Sequence, residues 1–146
     1  MRLILILACL FGGVHAAAVL GQNRASMDTY VRTNNAQRAT TAHGAYTVHT
    51  LVSDACTLKE YENPDGKIFA VRWEGITPPN LQNLFGDYYT AYDKAHSAAL
   101  KGPHPRQLQI KTDNLIVQHS GHMRHLSGLA YDPALVPAGV VAEELP

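Results

Sequence analysis

From Ala45 to Glu74 the chain reads with a two-fold period, and this constrains its fold more than any other feature. A period of two marks strands whose alternate side chains face opposite sides of a sheet. AYTVHTLV and CTLKEYE are separated by Ser53-Asp54-Ala55. NPDG at 63–66 is a turn, because Pro64 presets its dihedral and Gly66 supplies a positive one. KIFAVRWE follows, with Phe69, Val71 and Trp73 on one face and Ile68, Ala70 and Arg72 on the other. The three runs predict an antiparallel meander.

A helix comes next. Thr77 or Asn80 can cap it, and the prolines at 78 and 79 suit a first turn. Leu81, Leu84, Phe85, Tyr88, Tyr92, Ala95 and Ala99 fall on one stripe, and Gly102-Pro103 stops it. Gly86 lies inside the helix and predicts a close packing contact there. Tyr88, Tyr89 and Tyr92 read as a core stripe with wet hydroxyl tips rather than an aromatic ligand box. QLQIKTD, NLIVQHS and HMRHLSG alternate again, with turns expected near Asp113-Asn114 and Ser120-Gly121. The order β-β-β-α-β-β-β predicts an α+β fold, an antiparallel sheet of five or six short strands with one long amphipathic helix across it.

The ends read differently. Arg2 precedes a wholly apolar run from Leu3 to Phe11, followed by small residues, which is the layout of a signal peptide over 1–18 cut after Ala16 or Ala18. That run is far short of the roughly 20 residues a membrane-spanning helix needs. An uncleaved anchor reaching Leu20 would have to include Gly12, Gly13 and His15, and no stop-transfer pattern follows. Cys9 lies too near the start for a lipoprotein signal. Residues 19–44 read as a polar linker, with brief helical spacing at Met27, Tyr30 and Val31. The domain is expected over 45–132, and the proline-containing stretch 133–146 as an extended tail or lid.

Losing the leader removes one of two cysteines and leaves Cys56, so no intramolecular disulfide can form. It also removes Arg2 from twelve basic residues, leaving eleven against twelve acidic ones. Without a basic stripe, nucleic acid and anionic membranes are poor partners.

Chemistry concentrates in HSGHMRHLSG, residues 119–128. On a strand His119 and His125 would share a face while His122 points away. Zinc needs three or four converging ligands, and no nearby cysteine or carboxylate completes the set, so no metal site is expected. Cys56 and His49 could meet on a hairpin diagonal if Ser53 and Asp54 centre the turn, but no third group orients them. No G-x-S-x-G, phosphate loop, CxxC, CxxCH or calcium loop is present, so neither catalytic residues nor a cofactor are nominated.

YTVHT, LKEYENPDGKIFAVRWEGITPPNLQNLFGDYY and SGHMRHLSGLAYDPALVPAGV together resemble a family of small exported bacterial proteins known only as a domain of unknown function. Its recurring strands carry over onto Tyr46, Val48 and His49; Glu60 and Tyr61; Phe69, Ala70, Val71, Trp73 and Gly75; and Gly121, His122, Met123, Arg124, Gly128, Ala130 and Tyr131. His119 and His125 stand outside that pattern, and Cys56 occupies a glycine position, so His122 is the histidine to watch. The resemblance implies no activity, cofactor or partner. His122, Arg124, His49, Tyr131 and Trp73 form the candidate functional surface. The expectation is a non-catalytic exported module that binds a protein or envelope component. The alternative is a metal-binding or hydrolytic protein using His122 with Arg124 and His49. Arg124, if shielded, would need an acceptor such as Glu60, Glu74 or Asp132.

Overall fold

The computed structural model describes residues 19–23, 37–102 and 107–146. The expected signal peptide and the spacing at Met27, Tyr30 and Val31 lie outside them. Among the described residues seven strands form one antiparallel sheet: β1 (Gln37–Ala42), β2 (Thr47–Val52), β3 (Cys56–Glu62), β4 (Ile68–Gly75), β5 (Gln107–Lys111), β6 (Ile116–His122) and β7 (His125–Tyr131). Their spatial order is β1-β2-β3-β4-β7-β6-β5. Two meanders therefore join through the antiparallel β4–β7 pair, and the helical connection carries the chain from β4 to the far edge.

The α+β architecture is as the sequence predicts, with one correction in strand number. β1 lies inside the stretch read as linker and pairs with β2 from Gln37↔Val52 to Ala42↔Thr47. It is an edge strand that is exposed except at half-buried Arg38, so no apolar alternation marks it. The ladder and the turn at Gly44, whose φ is 65°, hold it in place.

A β-bulge corrects the expected faces of β4. Glu62 pairs with Ile68 while Tyr61 pairs with Ala70, so β4 carries one extra residue. Ile68, Val71 and Trp73 consequently pack on one face, and Phe69 and Ala70 on the other.

The first face lies under the helical segment. Asn80 is its cap, with Oδ1 accepting from the Asn83 N–H at 3.0 Å. Helix α1 (Leu81–Phe85) ends at Gly86, a 3-10 turn covers Gly86–Tyr88, and α2 runs Tyr89–Ala99. Gly86 is needed for its φ of 51° and marks a break in the run, where the sequence had suggested a packing contact. Leu84, Phe85 and Tyr92 are buried against Leu51, Leu58, Val71, Trp73, Val117 and Ala130.

Residues 133–146 lie across the second face. Leu145 and Ala142 are buried with Val48, Tyr61, Phe69, Leu129 and Tyr131, and Leu135, Val136 and Val140 pack beside them. Backbone carbonyls tie this segment down: Asn63 Nδ2 donates to Leu135 O at 3.0 Å, and Arg72 Nη1 donates to Leu145 O at 2.6 Å.

Candidate functional site: the Trp73–His119 cleft and the β6–β7 hairpin

Trp73 on β4 is opposite Gly128 on β7, which is opposite His119 on β6. The pleat sets all three on the helix-covered face. The indole lies across β7 and reaches His119, with ring centroids 5.7 Å apart. Tyr92 of α2 completes the group, its hydroxyl 2.8 Å from His119 Nε2. His96, one turn further along α2, stacks on Tyr92 at 5.4 Å with the planes 15° apart. Burial lowers the His119 pKa to about 4, helped by the neighbouring His96. His119 is therefore a neutral imidazole at pH 7. With the Tyr92 hydroxyl donating to Nε2, its proton is assigned to Nδ1.

These side chains line a cleft of about 380 Å³, bounded also by Leu81, Leu108 and Leu126. None of the lining residues is an Asp, Glu, Lys or Arg. On the tyrosine stripe, Tyr92 is 3% exposed in the core, with its hydroxyl on His119.

The hairpin beside the cleft turns later than expected. β6 continues to His122, which pairs with His125, so the turn is Met123-Arg124, where Ser120-Gly121 had been expected. Gly121 lies within the strand opposite Leu126, and a Cβ there would meet Leu126 Cδ2 at 2.7 Å. That glycine makes room for a neighbour, which explains why it resembles a turn signal. Arg124 has a φ of 65°, a region that side-chain-bearing residues seldom occupy. Met123 is 96% exposed. Of the acceptors proposed for Arg124, Glu74 instead meets His125 at 3.3 Å and Asp132 accepts from Tyr88 at 2.6 Å. Glu60 lies on β3, away from the hairpin.

His49 and Tyr131 are interior groups. His49 is 1% exposed; its Nε2 donates to Glu62 at 2.6 Å, while Thr40 and Arg38 approach Nδ1 at 3.0 and 3.2 Å. It sits on β2, three strand spacings or roughly 14 Å from β7. Tyr131 lies under the C-terminal segment and donates to the Glu143 carboxylate. The structure therefore does not bring the five candidates together: Trp73 lines the cleft, His122 and Arg124 belong to the hairpin, and His49 and Tyr131 lie in the interior against Glu62 and Glu143.

The thiol–imidazole pairing fails as well. Leu51 is opposite Leu58, not Cys56, and His49 is opposite Glu60. The loop from Ser53 is closed by Ser53 N–H donating to Cys56 O at 3.0 Å, which moves Cys56 to the far end of the pair. Burial also raises the Cys56 pKa, disfavouring the thiolate. Among the described residues no three His, Cys, Asp or Glu side chains converge as a metal site would require.

The sequence reading missed how His96, His119 and Tyr92 assemble. His119 had been noted, but a helix and a strand far apart in the chain bring the three together. Glu60 was also missed as an anomaly. It is fully buried, neither carboxylate oxygen has a hydrogen-bond partner among the described residues, and burial raises its pKa to about 8 against the lowering influence of Arg38.

No curated protein and no solved structure matches the chain. The family resemblance stands on firmer ground, since one family model covers nearly the whole sequence. The chain belongs to the family described as Protein of unknown function (DUF2844), whose model matches residues 16–145.

Proposed function

We propose that this protein is an exported, non-catalytic binding module of the bacterial envelope, and that it docks a protein or envelope component through the β6–β7 hairpin tip. The observation carrying this reading is the backbone of Arg124. A non-glycine residue held at φ 65° costs about 1–2 kcal/mol, and glycine would remove that strain. The strained arginine sits beside a methionine 96% exposed, so the tip presents a cation and an apolar chain together. That pairing suits a partner with both an acidic and an apolar feature.

Export rests on the charged start, apolar run and small-residue boundary of the first 18 residues. The near balance of charge supports a partner other than nucleic acid. Among the described residues no helix is long and apolar enough to cross a membrane. The hydrolytic alternative loses its support from His49, whose ring is committed to Glu62, Thr40 and Arg38.

The test is co-purification from the host envelope with Arg124→Gly. The variant should fold at least as stably as the parent yet lose the partner. Retention of the same partner by that variant and by Met123→Ser would refute docking at the tip.

A further inference from the structure

The two cuts that the leader allows, after Ala16 or after Ala18, leave different first residues, Ala17 or Val19. Val14 and Ala16 precede the first cut by three and one residues, and Ala16 and Ala18 the second, so the sequence pattern does not choose between them. The fold does distinguish them, because it treats residue 19 as core. Val19 is 0% exposed and Leu20 1%, and both belong to the apolar cluster that holds Leu51, Leu58, Leu84 and Phe85. Their backbone is fixed as well. Val19 N–H and Leu20 N–H donate to Leu84 O at 3.4 and 3.0 Å, Gly21 N–H donates to Ile68 O at 2.8 Å, and Ile68 N–H donates to Gln22 O at 3.0 Å. Gly21 locks the register: its φ is 75°, and a Cβ there would meet the Tyr88 hydroxyl oxygen at 2.7 Å. Sliding the segment by one residue would put Leu20 or Gln22 where only glycine fits.

A chain that began at Val19 would carry its α-ammonium at this position. Such groups titrate at about 7.7–8.0, so the terminus is charged at neutral pH. It would hold three protons where the peptide nitrogen holds one, against a Leu84 carbonyl already shared with Leu20. A charge set beside an apolar cluster loses hydration that one shared carbonyl does not return. The lock at Gly21 prevents Val19 from backing out with its charge. A chain that began at Ala17 would keep an ordinary peptide N–H on Val19 and carry the ammonium up to about 7 Å further along the backbone.

We propose that the signal peptide is removed after Ala16, and that Ala17 and Ala18 stay on the mature protein as a spacer between its α-ammonium and the core. This rests on the export reading and adds to it the processing site that the folded domain accommodates.

N-terminal sequencing of the protein isolated from its host envelope tests the site, and Ala17 is the expected first residue. A chain that begins at Ala18 or Val19 would overturn this inference and leave export standing. A chain that still begins at Met1 would overturn the export reading and the inference with it. Thermal unfolding tests the physical cause, on proteins that begin at Ala17 and at Val19 after removal of an N-terminal fusion. The shorter protein should melt at least about 5 °C below the longer one. Ala17→Gly with Ala18→Gly in the longer protein keeps the spacer length without its side chains, and should hold Tm within about 2 °C of the parent. Equal melting of the two proteins, or a glycine spacer that melts as low as the protein beginning at Val19, would overturn the spacer role.

Discussion

Trp73 occupies the space a side chain at residue 128 would need: a Cβ on Gly128 would lie 2.0 Å from Trp73 Cζ2 and 2.3 Å from Cε2. Both residues belong to central strands, so neither backbone can easily retreat. Gly128→Ala should destabilise the protein by about 2–4 kcal/mol through overpacking. Urea unfolding followed by Trp73 fluorescence measures it. Trp73→Leu should remove most of that penalty in the double variant, because it empties the contested space. A fully additive double variant would show that the two side chains do not compete.

Glu60 makes stability depend on pH in an unusual direction. Its pKa is raised from 4.5 to about 8, chiefly by burial. Below about pH 4.5 it is protonated in both folded and unfolded chains and carries no penalty. As pH rises the unfolded chain ionises first, so this contribution to stability falls until the folded group also ionises near pH 8. Glu60→Gln should therefore stabilise the protein increasingly from pH 5 to pH 8, by an amount on the order of a few kcal/mol at the upper end. Chemical denaturation of both proteins across that range is the measurement. A difference independent of pH would show that Glu60 does not titrate in this way.

The C-terminal segment behaves as core. Leu145 is 3% exposed against the second face. Leu145→Ala should cost about 2–4 kcal/mol, and thermal unfolding should show a lowered Tm. A loss of under about 0.5 kcal/mol would mean this segment is a surface strap.

Arg124→Gly should raise stability by about 1 kcal/mol, since glycine accepts φ 65° without strain. Arg124→Ala keeps the strain and should leave Tm nearly unchanged. The contrast between the two, read by calorimetry, separates backbone relief from loss of the guanidinium. If alanine stabilises as much as glycine, relief of backbone strain at residue 124 is not the cause.

Protein isolated from its native host should lack the leader. Intact mass spectrometry is expected to place the new terminus after Ala16 or Ala18. A mass that retains Met1 to Leu20 would instead identify an anchor.

The sequence by itself determined the strands from Ala45 to Glu74, the Asn80-capped helical stripe and the alternation after it. Each of these is a local periodicity written by the requirement to bury one face. Tyrosines on the stripe and Trp73 on its strand were legible for the same reason. Tertiary structure alone decided what has no local period. β1 is recruited by the hydrogen-bonding edge of β2 and needs no apolar pattern of its own. The bulge at Phe69 resets which face each residue of β4 occupies, and one extra residue reverses every face beyond it. The hairpin tip falls at Met123-Arg124 because the β6–β7 ladder runs unbroken from Ile116↔Tyr131 to His122↔His125, a pairing across two whole strands that no local turn signal reports. The cleft is likewise a product of juxtaposition: His96 and Tyr92 arrive on a helix, His119 and Trp73 on strands that are not consecutive in the chain, and their shared chemistry exists only once the sheet has closed β4 against β7.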